Sequence, residues 1–352
     1  MLSSTFLNQF PEYHYRKLPN RKLPFEYVDT ATRLILQEAE RNGFSYEVID
    51  ETDVIKISNG TKTEYIRSRQ PSTTSSLAEK ICRNKTSTKT FLKRSGISTS
   101  KGFTIFSGDS EEDIVAAWDE LQKPIVFKPT HGSHGSYIVT GITILEHCKE
   151  LILNYFSSPR FNGGVLLEEM FVGNECRIIA TQDKVIAAME RVPAFITGDG
   201  NKNIRELIEE ENRLPIRNIA PDLYPLISID EDLENNLSHV EMNLGSIPQE
   251  GEKVSLRSVS NVMAGGIAID RTEDIHPSVV ELAIKTVNAI PGLSWAGIDF
   301  MSTDLYSEQN ESSYCIIEVG SMPEFDMHEV PMQGKPRFVA KEFLKLMFPE
   351  IN

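Results

Sequence analysis

Trp295-Ala-Gly-Ile-Asp-Phe-Met301 and Tyr314-Cys-Ile-Ile-Glu-Val-Gly320 are short apolar runs, each interrupted by one carboxylate, Asp299 in the first and Glu318 in the second. The stretch between them, Ser302-Thr-Asp-Leu-Tyr-Ser-Glu-Gln-Asn-Glu-Ser-Ser313, is polar enough for a hairpin loop. Runs of this length between polar segments read as strands. Paired as a hairpin, they place Asp299 and Glu318 on one face with Cβ atoms roughly 4.5–5.5 Å apart. Two anions that close, flanked by Ile298, Phe300, Ile317 and Val319, repel unless a cation or a proton stands between them. Oxygen donors suit a hard divalent ion such as magnesium, which usually also holds substrate phosphates. The alternative is two loop-edge carboxylates that never meet. These two runs do not choose between the readings, and the upstream sequence has to.

Composition excludes several classes. At 352 residues the chain should form roughly two or three domains. Its 40% apolar content supports a sizeable core. A net charge of −15 argues against nucleic acid or an anionic membrane as partner. No apolar run reaches the about 18 residues that a membrane-spanning helix needs. The N-terminal residues, Met1-Leu-Ser-Ser-Thr-Phe-Leu-Asn-Gln-Phe10, lack a basic segment and a clear apolar core of a leader. Cys82, Cys148, Cys176 and Cys315 show no close spacing, so neither a zinc site nor a disulfide framework is implied. A cytoplasmic protein is expected.

Residues 1–26 read as an irregular arm with Arg16, Lys17, Arg21 and Lys22 broken by Pro19 and Pro24; a solvated arm and a homodimer-packing extension both fit. A small α/β domain over 27–82 follows. It comprises a helix at 28–42 (Val28, Ala31, Leu34, Ile35, Ala39), strands at 45–50 and 54–58, and a hairpin at Asn59-Gly60. A central lobe over 83–166 opens with a helix in Asn84-Lys-Thr-Ser-Thr-Lys-Thr-Phe-Leu-Lys-Arg-Ser-Gly96 and contains the strand Ile125-Val-Phe-Lys128. A C-terminal lobe over 167–352 holds strands at 177–180 and 185–190, a polar, loop-rich stretch at 198–255 with a helix at 203–212, a helix at 278–290, and the two carboxylate strands.

Pro129-Thr-His-Gly-Ser-His-Gly-Ser136 follows a strand that ends in Lys128. Small residues let backbone N–H groups approach a phosphate chain. Neither a Walker motif nor a dinucleotide fingerprint is present, so taken alone a plain surface turn is the more ordinary reading of this loop. Lys85 and Lys128 open or precede phosphate-facing elements, although a strand lysine is more often a snorkelling edge residue. Glu168 and Glu175 stand on either side of Gly173, as a linker strand meeting a purine and a ribose would place them; ordinary solvated glutamates are the alternative. Arg257 could hold a phosphoryl group through its planar fork, or be a surface arginine.

The order of these runs decides between the readings. Asn84-Lys85-x-x-Thr88-Lys89-x-x-Leu92 with Gly96-Ile97 is followed by Val126-Phe-Lys-Pro129 with His131-Gly-Ser-His-Gly135, then by Leu167-Glu-Glu169 with Gly173-Asn-Glu-Cys-Arg177. Arg191-Val-Pro-Ala194, Gly198-Asp-Gly200, Leu256-Arg-Ser258, Asn261, Gly265-Gly266 and Ile275-His-Pro277 come next. Ala296-Gly-Ile-Asp299, Ile317-Glu-Val319, Met327-His328, Gly334-Lys-Pro-Arg337 and Phe348-Pro349 close the series. Over residues 28–350 the chain resembles the ATP-grasp carboxylate–amine ligases, in particular the ATP-grasp parts of cyanophycin synthetase and of bifunctional glutathione synthetase.

The resemblance implies an α/β (α+β) fold of three parts with nucleotide between two lobes. It implies an ATP-dependent ligase that joins the carboxylate of an amino acid or peptide, free or carrier-bound, to an amine through an acyl-phosphate. Lys85 and Lys128 would contact ATP phosphates. Gly132, Ser133, His134, Gly135 and Ser136 would form a flap over them. Glu168, Glu169 and the backbone of Met170 and Phe171 would hold adenine, and Glu175 the ribose. Arg257 would reach the γ-phosphate, with Lys85 and Lys128 as its catalytic companions. Asp299 and Glu318 would bind one or two magnesium ions, with manganese as a substitute. Arg177, Arg191, Gly265, Gly266, Lys335 and Arg337 would meet substrate carboxylates or the phosphoryl group. One position departs from the family, because Gly320 stands where an asparagine usually completes the metal site. That leaves a phosphotransferase or a nucleotide-binding module with impaired catalysis as alternatives. No appended glutamate–cysteine ligase or second ligase domain is read in the chain, so neither glutathione nor cyanophycin synthesis is assumed.

Overall fold

Main-chain hydrogen bonds divide this computed structural model into antiparallel strands and short helices over residues 29–49, 52–132, 137–158, 163–219, 223–257, 260 and 262–351, which are the residues described. The arm at 1–26, the flap residues Ser133, His134, Gly135 and Ser136, and Ser258 and Asn261 lie outside them. The chain clusters into two units built from separated segments. One comprises Met1–Arg69, Ala187–Glu273 and Glu324–Asn352; the other comprises Gln70–Ile186 and Asp274–Pro323.

In the first unit, Asp29 starts helix Thr30–Arg41 by accepting from the Thr32 N–H, as an N-cap carboxylate does. Ala31, Ile35, Leu36 and Ala39 recur at helical spacing and are buried. The helix packs against helix Val339–Lys345, and Phe44 meets Phe348 edge-on at 4.9 Å. Strands Ser45–Val48, Val54–Ser58 and Thr63–Arg67 form an antiparallel meander in which Val54 faces Arg67 across the Asn59-Gly60 turn. Strand Val185–Val192 carries the chain into this unit and pairs with Ile267–Asp270, Arg191 opposite Ala268. The stretch 198–255 is more structured than its polar composition suggests. Besides helix Ile204–Asn212 it holds helices Pro215–Ile219 and Glu231–His239 and strand Lys253–Ser255, which pairs with Phe195–Thr197. These elements are short, and a few apolar residues (Leu207, Leu233, Leu237, Val254) suffice to bury one side of them.

Asp326 lies in the same unit beside Glu324 and Asp29, with Arg69 as the nearby cation. Burial, helped by Glu324, pushes its carboxyl up from 3.8 to about 6. The folded state therefore binds this proton more tightly than the unfolded chain, and the associated stability is lost as pH rises from 3.8 to about 6. Asp326→Asn keeps an oxygen for the Met327 N–H. It should stabilise the protein at pH 8 relative to pH 4 by on the order of 1–3 kcal/mol. Urea midpoints at the two pH values read this out, and an equal effect at both would remove the assignment.

In the second unit, a four-stranded antiparallel sheet runs Gly102–Ile105, Val165–Glu169, Ile125–Pro129, Val139–Ile142. Trp118, Phe127, Ile152 and Tyr155 fill the layer between this sheet and helices Glu111–Asp119 and Leu145–Ser157. Elsewhere in the unit, strand Trp295–Ser302 lies between Asn174–Thr181 and Tyr314–Gly320. Helix Pro277–Asn288 packs on Asn174–Thr181 and Trp295–Ser302, while helices Ser76–Arg83 and Lys85–Arg94 pack on Tyr314–Gly320. Asn84 divides the last two helices, its side chain accepting from the Ser87 N–H at 2.8 Å. Gly96 at φ +64° closes the second. No helix among the described residues is long and apolar enough to cross a membrane.

Candidate active site

The N-cap at Asn84 puts Lys85 and Lys89 one turn apart on one helix face, and both are buried. Lys89 and Lys128 converge on Glu168 from opposite sides. Lys128 Nζ bonds Glu168 Oε1, and Lys89 Nζ stands 2.8 Å from Glu168 Oε2, off hydrogen-bonding geometry. All three side chains are at most 7% exposed. Burial raises the Glu168 carboxyl, but Lys89 and Lys128 together outweigh it and hold the group below its ordinary value. Burial pushes the Lys128 ammonium down, against the pull of Glu168. Two cations on one buried anion leave a surplus positive charge, a setting that favours an incoming anion. Lys85 donates to the Gly132 carbonyl at 3.0 Å, which ties the start of the glycine-rich loop to the same helix.

Arg177, Asp299 and Glu318 form one row across three adjacent strands, since Asp299 is the register partner of both others. The expected hairpin and the shared face are therefore present. A bulge follows immediately, because Phe300 pairs with Ile316 and leaves Ile317 extra; such bulges re-aim side chains. Arg177 Nη1 donates to Asp299 Oδ1 at 2.7 Å, and Lys85 Nζ is 3.6 Å from Glu318 Oε2. Gly297 gives the Arg177 guanidinium its room, because a Cβ there would stand 2.9 Å from Arg177 Cζ and 2.6 Å from Pro323. The donor set is oxygen-only, and the two acids are partly open to solvent, 17% for Asp299 and 34% for Glu318. This fits a hard divalent cation that keeps water or phosphate in its remaining positions.

Glu169, expected at the adenine, accepts from the Gln122 N–H at 3.0 Å. The Met170 N–H is committed to the Pro124 carbonyl at 3.1 Å, so it is not a donor for a base. Phe171 precedes strand Asn174–Thr181, and Glu175 is the second residue of that strand, opposite Met301. Gly132 adopts φ +136°.

The remaining expected residues belong to the other unit. Arg257 is 5% exposed, and both terminal nitrogens of its fork are engaged while its buried Nε has no partner among the described residues. Nη1 and Nη2 each donate to one Asp230 oxygen at 2.7 Å, Nη1 also to Asp232 at 3.1 Å and Nη2 to the Ser228 carbonyl at 3.0 Å. The Arg257 bond and the Leu233 N–H hold the Asp230 carboxyl at about 2. Arg337 donates to both Asp270 oxygens and to Glu273, and Lys335 donates to Glu273 at 2.6 Å. Arg257, Lys335 and Arg337 thus have carboxylate partners of their own. Gly265 has φ +89°, and its carbonyl accepts from Arg217. Gly266 beside it is buried, and Arg191 stands on strand Val185–Val192.

The structure superposes on the crystal structure of a bifunctional glutathione synthetase from Pasteurella multocida with a TM-score of 0.70 and 28% identity, over 91% of this chain and 44% of that one. The chain has the ATP-grasp fold. In sequence, this ATP-grasp chain is 32% identical over 321 residues to cyanophycin synthetase of Geminocystis herdmanii, covering 91% of this chain and 36% of that protein. It is 30% identical over 358 residues to the glutathione biosynthesis bifunctional protein of Clostridium perfringens, covering 99% of this chain and 44% of that protein. The chain thus spans less than half the length of these relatives. No protein-family model matches it.

Lys89, Asp230 and Arg217 were not expected at these places. Lys89 had a signal in its spacing of four from Lys85. Asp230 meets Arg257, and Arg217 meets the Gly265 carbonyl, across tens of positions, which no local pattern records.

Proposed function

We propose that the chain is an ATP-dependent ligase that joins the carboxylate of an amino acid or peptide to an amine. The observation that carries this reading is the convergence of Lys85, Lys89, Lys128 and Glu168 with the Arg177–Asp299–Glu318 row in one unit. Lys85 and Lys128 would bind the phosphates of ATP, and Glu168 with Phe171 the base. Glu175 would reach the ribose. Asp299 and Glu318 would hold magnesium, for which manganese could substitute, and the ion would draw charge from the β- and γ-phosphates. The substrate carboxylate attacks the γ-phosphorus in line, ADP leaves, and the amine then displaces phosphate from the acyl-phosphate. Arg257 would exchange one of its carboxylate bonds for a phosphoryl oxygen. Arg177, Arg191, Gly265, Gly266, Lys335 and Arg337 would select the substrates. Positioning and charge neutralisation supply nearly all of the acceleration. A cytoplasmic site of action belongs to the same reading, supported by Cys82, Cys148 and Cys315, which are buried thiols outside any disulfide.

A screen of amino acids and dipeptides in pairs, read by phosphate release and product mass, tests the proposal. A product that needs both partners and has their summed mass less one water establishes ligation. ADP release without the amine, with a stable phosphorylated product, would select a phosphotransferase instead.

Gly320 supports a second reading, a nucleotide-binding module with weakened catalysis. A Cβ at Gly320 would meet only the Gly297 carbonyl, at 3.8 Å, so an asparagine has space there. Gly320→Asn should lower the magnesium concentration for half-maximal rate by about threefold to tenfold, through one added oxygen ligand. Initial rates against magnesium for both forms decide. An unchanged half-saturation in a well-folded variant means that the site is already complete.

A further inference from the structure

Arg217, on the short helix Pro215–Ile219, has a side chain with no solvent exposure. Nη1 donates to the Pro225 carbonyl at 2.8 Å, and Nη2 donates to the Gly265 carbonyl at 2.9 Å and reaches Glu211 at 3.3 Å. Burial pushes the guanidinium below its usual value. Burying a cation largely against carbonyls is costly, and an apolar side chain would fill the same volume without that cost. What the arginine adds is direction.

Gly265 sits in a slot with fixed sides. Its φ of +89° is one that L side chains rarely adopt, and a Cβ there would stand 2.7 Å from Ile227 Cγ1. Ile227 is itself pinned by Asn212, which accepts from its N–H at 2.7 Å and donates to its carbonyl at 3.0 Å. The peptide between Gly265 and Gly266 is trans. A planar trans peptide points its carbonyl and its N–H in opposite directions. With the carbonyl held by Arg217, the Gly266 N–H is aimed the other way, and a cationic donor on the carbonyl strengthens that N–H as a donor.

We propose that Arg217 is a positioning residue for the ligation, fixing the 265–266 peptide so that the Gly266 N–H meets an anionic oxygen of the substrate. This rests on the reading of Gly265 and Gly266 as substrate positions. Misaiming one such donor should lower kcat by about tenfold to a hundredfold.

Arg217→Lys and Arg217→Met test this in the full chain. The lysine variant keeps a charge and a donor if the methionine variant fails to fold. Kinetics use the substrate pair that the ligation screen identifies. The second readout, independent of turnover, is the Gly266 amide resonance in glycine-15N-labelled protein, assigned through Gly266→Ala. The proposal expects that resonance to move in Arg217→Lys, with kcat lowered per folded molecule and the ATP KM within about twofold. An unmoved Gly266 resonance overturns it, because the peptide is then oriented without Arg217. A moved resonance with kcat unchanged per folded molecule overturns it as well, because the peptide then has no part in the reaction. If the wild type joins no pair at all, the ligase reading falls, while the resonance still decides whether Arg217 aims the peptide.

Discussion

Glu318→Gln should reduce phosphate release by on the order of a thousandfold while nucleotide binding stays measurable. The substitution keeps the shape and removes one negative charge from the Arg177–Asp299–Glu318 row. Charge on the transferring phosphoryl group matters more in the transition state than in the bound ground state, so the loss falls on kcat. Lys85 loses an acid 3.6 Å away but keeps its bond to the Gly132 carbonyl, so local structure should persist. Coupled phosphate release at saturating magnesium, beside calorimetric titration with ADP, separates the two effects. Near-normal turnover would remove Glu318 from the metal site.

Glu168→Gln should be the most destabilising conservative change in the buried Lys89–Glu168–Lys128 cluster. Glutamine cannot balance Lys89 and Lys128, and its amide would point two N–H groups at one of them. Breaking a buried pair by removing one partner costs about 3–5 kcal/mol, because the remaining charge stays buried. In a chain of this size that is a fall in Tm on the order of 10 °C. Adding Lys89→Met should recover part of it, since a single lysine can then bond the glutamine oxygen. Melting curves of the single and double variants without nucleotide give the answer. If Glu168→Gln melted within about 2 °C of the wild type, the triad would not be a buried charge balance.

The two carboxylate strands were legible as short apolar runs on either side of a polar loop, whereas the meeting of their carboxylates had to be read from the order of the upstream motifs. The helix at Lys85 was legible from Asn84 and Gly96, its two ends. The helices at 215–219 and 231–239 were not, because five or nine residues with only two isoleucines or two leucines among them are too short to make a helical period stand out. Arg257, Lys335 and Arg337 could be picked out as cations, but not as cations already paired. Asp230 and Asp270 reach them across long stretches of chain, and an ion pair of that kind leaves no spacing to read. Lys89 was quoted in its motif without a role, since a lysine on a helix is ordinarily solvated. Its burial comes from the packing of helix Lys85–Arg94 on strand Tyr314–Gly320.

Segment order has a consequence for biosynthesis. Helix Thr30–Arg41 buries Ala31, Ile35, Leu36 and Ala39 in a unit completed by helix Val339–Lys345 and Phe348. On the ribosome, that apolar face is made long before its partner, because residues 42–338 lie between the two helices. The intervening unit is likewise unfinished until residues 274–323 have been added. Neither unit can close when its first segment is made, because a segment of the other unit is inserted before its last one. The nascent chain therefore exposes that apolar surface until the later segments have been made, the condition under which a cell's chaperones are recruited.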